Sequence, residues 1–203
     1  MDRAIGHPFR ILSPGDPSAA APGPHDLVLE RSAFGGGTHP TTVSCLDLLA
    51  SLAPLAGARV LDLGSGTGIL GIAAVRLGAA SVLCVDVNPD AVASAGRNGH
   101  ACGVADRLAH RQGSAEELTG MAFDLVVANI GGELLLDEAG RIAPLARPAG
   151  RLLLSGLLRG YAEELAAAYG ALGFRLLERR FPSDFCTLLL GRGREAGPSR
   201  PGA

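Results

Sequence analysis

Aromatic side chains are scarce in this sequence of 203 residues: tryptophan is absent, tyrosine occurs twice and phenylalanine six times. The hydrophobic core must therefore be built mainly from aliphatic side chains. A folded chain of this length buries roughly 70% of its unfolded surface, which is enough for a sizeable core. The length predicts one domain with a possible appendage.

Long apolar runs are also missing. No stretch reaches the roughly 18 apolar residues of a membrane-spanning helix. The charged residues that follow Met1, Asp2 and Arg3, are not followed by the apolar segment of a secretory signal peptide. The formal net charge is −2, so no strong field attracts nucleic acid. We expect a cytoplasmic protein without direct contacts to membranes or nucleic acid, and the oligomeric state stays open.

Cysteine is limited to four scattered residues, which form no C-x-x-C pair: Cys45, Cys84, Cys102 and Cys186. Two of them, Cys84 and Cys186, lie in apolar, strand-like runs. This predicts buried, reduced thiols. No cluster with metal-ligand spacing occurs, so we predict no metal site.

The most informative feature that is present is a glycine turn. The segment V-L-D-L-G-S-G-T-G-I-L begins at Val60 and combines a short apolar strand, three alternating glycines (Gly64, Gly66 and Gly68) and an apolar helix predicted over about 69–77. Glycine permits positive φ and lets a ligand approach the backbone. Because the helix points free N–H groups at the turn, the turn suits a nucleotide-like or negatively charged group.

A second signal follows the turn. The segment Ser81–Asp86 predicts another buried parallel strand, and it ends in a carboxylate. A carboxylate at this position can accept hydrogen bonds from both hydroxyls of a ribose. The turn and Asp86 together predict a Rossmann-like site for an adenosine-containing cofactor.

The choice of cofactor depends on Asp62. The glycines up to Gly71 fit the dinucleotide pattern G-x-G-x-x-G, with Asp86 about 20 residues on, but this match alone is weak. Asp62 lies two residues before Gly64, where a carboxylate repels a pyrophosphate and can attract a cation. S-Adenosylmethionine carries an ammonium and a sulfonium and has no phosphate. The pattern D-x-G-x-G-x-G therefore favours S-adenosylmethionine over NAD.

The chain before the turn is less regular. Residues 1–25 are rich in turn formers and are interpreted as an extension or linker, and 26–30 as a short strand. A helix is predicted over about 41–52. Helix capping is one interpretation of His39, Thr41 and Thr42, and we favour it for Thr41; His39 is also a candidate for a general base.

The chain after the turn alternates between predicted strands and helices. Asn88 is expected to cap a helix that reaches about Cys102. Strands are predicted at 107–112, 123–130, 148–155, 174–181 and 185–190, with helices at 133–145 and 161–172. The short link at 182–184 requires an antiparallel pair. This predicts an α/β domain over 26–191 with a mostly parallel seven-stranded sheet and a C-terminal antiparallel hairpin, followed by a disordered tail over 192–203.

Two further positions are candidates for ligand contacts. The loop after the strand predicted at 107–112 contains Ser114 and Glu116, which can border an adenine or simply face solvent. Asn129 ends a buried strand, where its amide can orient a ligand or a nucleophile, or form a turn before Gly131. The residues leave both pairs of alternatives open.

Five segments carry a resemblance to one family. Ala33 to Thr42 is close to A-F-G-T-G-T-H-P-T-T, and the glycine turn to V-L-D-x-G-x-G-S-G-I-L. The others match V-D-I-D-P, V-V-A-N-I and R-P-G-G-x-L-x-L-S-G-I-L, at 85–89, 126–130 and 147–158. The chain resembles the PrmA family, the methyltransferases of ribosomal protein L11, in this order over most of residues 26–191.

The resemblance implies a class I S-adenosylmethionine-dependent methyltransferase fold and cofactor contacts at Thr42, Gly64, Asp86 and Asn129. It also implies methyl transfer to lysine ε-amines and an α-amine of a protein. We predict Asn129 as the catalytic residue, because its amide can orient the nucleophile. Two departures bear on the acceptor. Few residues precede the core, where the family has a substrate-holding domain, and the family's A-N-I-L-A-G-P-L is A-N-I-G-G-E-L-L here.

Other functions remain as alternatives. A small-molecule N-methyltransferase fits the few residues ahead of the core, and a non-catalytic cofactor-binding module fits an intact glycine turn. Glutamine and adenine amide methyltransferases fit less well, because the segment from Asn129 lacks the sequence N-P-P-Y. A dehydrogenase is distinguished by whether NAD binds.

Overall fold

The computed structural model describes residues 8–30 and 36–193. Its strands are β1 (Arg10–Leu12), β2 (Asp26–Val28), β3 (Arg59–Leu63), β4 (Ser81–Asp86), β5 (Leu108–Gln112), β6 (Phe123–Asn129), β7 (Ala146–Leu158), β8 (Phe174–Arg180) and β9 (Phe185–Arg192). Its α-helices are α1 (Pro40–Ser51), α2 (Ile69–Arg76), α3 (Pro89–Ala101), α4 (Gly132–Asp137), α5 (Ala139–Ile142) and α6 (Ala162–Ala171).

Seven strands form one sheet in the order β5-β4-β3-β6-β7-β9-β8. All neighbours are parallel except β9, which is antiparallel to both β7 and β8. This confirms the predicted sheet and its C-terminal hairpin. The chain moves outward from β3 to β5 and then returns to place β6 on the other side of β3. Such a switch leaves a crevice at the carboxyl ends of the strands, where ligands bind in open α/β sheets.

Aliphatic side chains fill the core on both faces of this sheet, as the composition predicts. One face packs against α1 and α2 through residues such as Leu46 and Ile72, and the other against α5 and α6 through Ile142 and Leu165. The four cysteines are buried and unpaired, which confirms that prediction. Within the described ranges, no helix has the length and apolar character needed to cross a membrane.

The segment before β2 is part of the folded unit, which differs from the predicted linker. β1 pairs in parallel with β2, and Phe9 and Leu12 are buried in the core. The Arg10 guanidinium donates to both carboxylate oxygens of Asp26 at 2.9 Å. The apolar patch at 9–12 therefore has a packing partner that local composition does not reveal.

Two other expectations need correction. The helix predicted over 133–145 is broken into α4, α5 and a 3-10 turn at Ala143–Leu145. Gly140 weakens the helix and Pro144 cannot donate the backbone hydrogen bond that would continue it. β9 continues through Arg192, which was assigned to the tail, and the rest of that tail beyond residue 193 lies outside the described residues.

Ala149 is a strained position in β7. Its φ is +62°, in the left-handed region, where the family pattern R-P-G-G has glycine. This conformation costs an L-residue about 1–2 kcal/mol. Replacement by glycine removes this cost, but part of the benefit is offset because glycine has more conformational freedom in the unfolded chain. We expect Ala149→Gly to raise the free energy of unfolding by about 0.5–1 kcal/mol, measured by urea denaturation. The control is Ala167→Gly in α6, which should lower it by about 1 kcal/mol; equal losses in both would contradict the assignment of strain.

Candidate cofactor and acceptor site

A cavity of about 400 Å³ opens at the carboxyl ends of β3, β4, β5 and β6. It lies at the switch in strand order beside β3. The residues that line it are Leu63, Gly64, Gly66, Asp86, Val87, Gly113, Ser114, Ala115, Glu116, Ile130, Leu134, Glu138 and Ile142. The charged side chains among them are all acidic. The lining is otherwise largely apolar, which suits a flat, mostly uncharged ring system next to a cationic group.

The glycine turn is shaped by close contacts on both sides. Gly64 has φ +71°, and a Cβ there would overlap the side chain of Ile130. Gly68 has φ +77°, and a Cβ there would lie 2.9 Å from Cβ of Ala95 on α3. Only glycine meets both the conformation and the space at these two positions. The turn therefore brings its backbone to the cavity with no side chain in between.

Asp86 lies at the cavity, as predicted, and also supports the turn. Its Oδ2 accepts from the backbone N–H of Gly66 at 2.9 Å, and its Oδ1 accepts from the N–H of Asn88 at 3.0 Å. A carboxylate has about four acceptor sites, so each oxygen can still accept another hydrogen bond. The geometry thus leaves room for two hydroxyl donors from the cavity.

Asp62 lies beneath the turn and is only 1% exposed. Its Oδ2 accepts from the backbone N–H of Gly71 at 2.8 Å, and it is not among the described residues that line the cavity. Burial raises the pKa of Asp62 to about 7, the Gly71 hydrogen bond opposes this, and the charge of Asp86 adds to it. Any effect of Asp62 on a ligand therefore acts through charge and through the turn, not through contact.

This raised pKa predicts a pH-dependent stability. Between the ordinary value of 3.8 and about 7, the folded protein holds a proton on Asp62 that the unfolded chain has lost. The stability is therefore highest at low pH within this window and is lost as the pH rises through about 7. At ~1.36 kcal/mol per unit, we expect the contribution of Asp62 to unfolding free energy to fall by about 3 kcal/mol from about pH 5 to about pH 8.

The check is urea denaturation of the wild type and Asp62→Asn across this range. The asparagine oxygen can still accept from Gly71 but does not titrate, so the variant should lose this part of the pH dependence. A variant curve parallel to that of the wild type would show that Asp62 does not titrate in this window.

Thr42 and Asn129 meet at the same edge of the sheet, although 87 residues separate them. Asn129 ends β6, and Thr42 lies in the first turn of α1. The Nδ2 of Asn129 donates to the Oγ1 of Thr42 at 3.4 Å. This bond directs the amide nitrogen to Thr42 and leaves Oδ1 without a hydrogen-bond partner among the described residues. Asn129 is thus an oriented amide as well as the residue before a turn.

The start of α1 differs from the prediction. His39, not Thr41, is the N-cap: its side chain accepts from the backbone N–H of Thr41 at 3.4 Å, and its Nδ1 lies 2.7 Å from Thr41 Oγ1. The imidazole also stacks edge-on against Phe185. Because the lone pair of Nδ1 accepts the N–H, His39 is poorly placed to act as a base. Imidazole is an infrequent cap, so local preferences pointed to threonine.

Ser114 and Glu116 line the cavity, but the hydroxyl of Ser114 is already engaged. Both its Oγ and its backbone N–H donate to Glu117 Oε2, at 2.5 Å and 2.7 Å. These bonds lower the pKa of Glu117. Ser114 can therefore contact a ligand through its backbone and its carbon atoms, while its two donors hold the loop in shape.

Three cavity residues were not anticipated from the sequence: Leu134, Glu138 and Ile142. Their spacing of four residues places them along one side of the α4–α5 segment. This spacing is visible in the sequence, but it ordinarily indicates the face of a helix that packs on the core, so it did not identify these residues as part of a ligand site. Phe34, which belongs to the segment 33–42 that resembles the family, lies outside the described residues.

The comparison with known proteins agrees with this geometry. Residues 30–192 match the family model for Ribosomal protein L11 methyltransferase (PrmA). The chain is 44% identical over 144 residues to the ribosomal protein L11 methyltransferase of Methylococcus capsulatus, covering 71% of this chain and 48% of the relative. It is 41% identical over 174 residues to that of Geobacter sulfurreducens, covering 85% and 56%.

A solved structure gives the same result. The ribosomal protein L11 methylase from Lactobacillus delbrueckii subsp. bulgaricus superimposes with a TM-score of 0.74 at 28% identity, covering 83% of this chain and 85% of that one. This confirms the predicted class I S-adenosylmethionine-dependent methyltransferase fold. The chain spans about half the length of the curated relatives it matches. It belongs to the ribosomal protein L11 methyltransferase (PrmA) family.

Proposed function

We propose that this chain binds S-adenosylmethionine in the cavity and transfers its methyl group to amine nitrogens of a protein in the cytoplasm, with ribosomal protein L11 as the acceptor. The observation that carries the proposal is the charge of the cavity. Its ionisable lining residues are Asp86, Glu116 and Glu138, and no basic side chain is among the described residues that line it. This favours a cationic cofactor over NAD, whose pyrophosphate is negative.

The residues present fit S-adenosylmethionine in shape as well as in charge. The cavity of about 400 Å³ lies in the size range of small-molecule sites. The oxygens of Asp86 would accept from the two ribose hydroxyls, and the backbone of Gly64, Gly66 and Gly68 would face the methionine part. The loop with Ser114 would border the adenine, and Asp62 would support the turn through its bond to the N–H of Gly71.

The acceptor would enter at the pair formed by Thr42 and Asn129. When bound, the cofactor supplies an electrophilic methyl group on a positively charged sulfur. Since the leaving group is a neutral thioether, the chain has no need of a general acid. Its task is to align the two reactants, which can lower the activation free energy by about 7–11 kcal/mol. The Oδ1 of Asn129 would accept a hydrogen bond from the incoming amine, while its Nδ2 is bonded to Thr42.

The amine must also be neutral when it reacts. A lysine with a pKa of ~10.4 costs roughly 4–5 kcal/mol to deprotonate at pH 7, at ~1.36 kcal/mol per unit. An apolar surrounding such as Ile130 disfavours the ammonium and lowers this cost. His39 is held as a helix cap, so in this proposal desolvation, not a dedicated base, does most of this work.

The identity of the acceptor rests on the relatives, which are named as methyltransferases of ribosomal protein L11. The experiment incubates the chain with ribosomal protein L11 and labelled S-adenosylmethionine, followed by mass spectrometry. The chain contains no lysine, so every methyl-lysine detected belongs to the acceptor. Methylated lysines or a methylated α-amine would support the proposal. Cofactor binding without transfer would redirect the search to small amines, and absence of cofactor binding would refute it.

A further inference from the structure

Helix α3 carries a fully buried amide on a face otherwise made of small side chains. Asn98 is 0% exposed, and Ala91 and Ala95 lie on the same side of the helix. Both ends of the amide are bonded. Its Oδ1 accepts from the backbone N–H of Glu30 at 2.9 Å, and its Nδ2 donates to the backbone C=O of Thr67 at 2.9 Å. A donor and an acceptor on opposite sides define the orientation of this amide.

The two partners belong to different parts of the fold. Thr67 is inside the glycine turn, whereas Glu30 closely follows β2, the second strand of the N-terminal pair. The peptide group between Thr67 and Gly68 is held at both ends, because the N–H of Gly68 donates to the C=O of Ser65 at 2.7 Å. Without Asn98, the carbonyl of this peptide would lose its side-chain partner, and a buried carbonyl without a partner is unfavourable.

We propose that Asn98 is a positioning residue for the cofactor site. It holds the peptide between Thr67 and Gly68 in one orientation and so keeps the turn in the shape that binds the cofactor, without touching the cofactor itself. The inference rests on the proposed function, because the ligand is S-adenosylmethionine. It adds a residue that neither the glycine pattern nor the lining of the cavity includes.

The competing explanation is that Asn98 only fastens β2 to α3. Two other bonds already do this. Arg97 pairs with the carboxylate of Glu30 at 2.8 Å, and the N–H of Val28 donates to Sγ of Cys102 at 3.2 Å. In the described part of α3, Asn98 differs from these residues because it also bonds to the turn. A variant that keeps the bond to Glu30 and loses the bond to Thr67 therefore separates the two roles.

Asn98→Asp has this property. One oxygen of the introduced carboxyl can still accept from Glu30, while the other faces the carbonyl of Thr67, and two acceptors at this distance repel each other. At lower pH the carboxyl takes up a proton and can donate to Thr67 again. Among the described residues, the charged groups next to its two partners are Arg97 and Glu30, which pair with each other, and Asp86, which accepts from Gly66 in the same turn.

The test measures the Kd of S-adenosylmethionine by calorimetry at about pH 8 and about pH 6, each relative to the wild type at the same pH. For Asn98→Asp we expect binding at least about tenfold weaker at the higher pH, or ~1.4 kcal/mol, and a return to near wild-type affinity at the lower pH. The matched control Arg97→Ala removes the exposed ion pair to Glu30 and should bind as the wild type does at both.

Three outcomes would overturn the inference: wild-type affinity in Asn98→Asp at both pH values, a loss that does not recover at low pH, or an equal loss in Arg97→Ala. If Asn98→Asp does not fold at the higher pH, Asn98→Ser provides the second variant, and unchanged affinity there counts against the inference. Failure of the wild type to bind the cofactor would instead refute the proposed function.

Hydrogen exchange of the ligand-free protein gives a readout independent of the cofactor. At the higher pH, the backbone amides of Gly66 and Gly68 should exchange faster in Asn98→Asp than in the wild type, while the amide of Glu30 stays as protected as in the wild type. Faster exchange at Glu30 with an unchanged turn would identify Asn98 as a fastener of β2 only.

Discussion

Replacing Asn129 by alanine should lower kcat by about 100-fold and leave the Kd of S-adenosylmethionine within about threefold of the wild type, because a loss of alignment acts on the reacting atoms. In the proposed mechanism the Oδ1 of Asn129 would hold the amine, and the 3.4 Å bond from its Nδ2 to Thr42 would fix the orientation of the amide. The measurement combines single-turnover methyl transfer with calorimetry of the cofactor.

Two substitutions of Thr42 provide a matched comparison for this prediction. Thr42→Ser keeps the hydroxyl that accepts from Asn129 and should retain most of the activity, whereas Thr42→Val keeps the volume and should lose turnover in the same way as Asn129→Ala. Equal losses of turnover and cofactor affinity in Asn129→Ala would mean that Asn129 only grips the cofactor. A Thr42→Val variant with full activity would show that the amide needs no partner.

Replacing Asp86 by alanine should weaken S-adenosylmethionine binding by about 1.5–3 kcal/mol, the scale of hydrogen bonds to a charged group. The structure adds a second reason for this loss. The two oxygens of Asp86 also hold the backbone N–H groups of Gly66 and Asn88, so the variant releases the turn as well as the ribose contact. Calorimetry of the cofactor is the measurement.

Two controls separate contact from charge. Asp90→Ala removes one negative charge from an exposed position in the first turn of α3 and should leave the affinity nearly unchanged. Asp86→Asn keeps an acceptor of the same shape, and an intermediate loss is expected. Unchanged affinity in Asp86→Ala would refute the assignment of this residue to the cofactor.

Local sequence patterns were enough for most of the fold. The strand, glycine turn and helix around Gly64 to Leu70 follow from apolar periodicity and from the conformations that glycine permits. Asn88 followed by Pro89 predicted the start of α3, and Asn88 does accept from the N–H of Asp90 at 2.9 Å. These features depend on residues within a few positions of each other, so composition and spacing decide them.

The same patterns misjudged segments where tertiary contacts matter. The helix predicted over 133–145 breaks at Glu138, and 9–12 is folded against β2 although turn formers surround it. His39 caps α1 because its own backbone is extended, with φ −64° and ψ 138°, and its ring packs against Phe185. Such contacts come from distant parts of the chain, and local preference does not encode them.

The sequence by itself determined the fold class, the position of the glycine turn and the carboxylate at the end of β4, because each depends on a short repeat of residue types. The tertiary structure alone decided which polar groups meet. It buried Asp62 beneath the turn, brought Thr42 to Asn129, and engaged Asn98 with the turn. Most of these contacts are set by the order of strands in the sheet and the packing of helices on it, which join residues far apart in the chain.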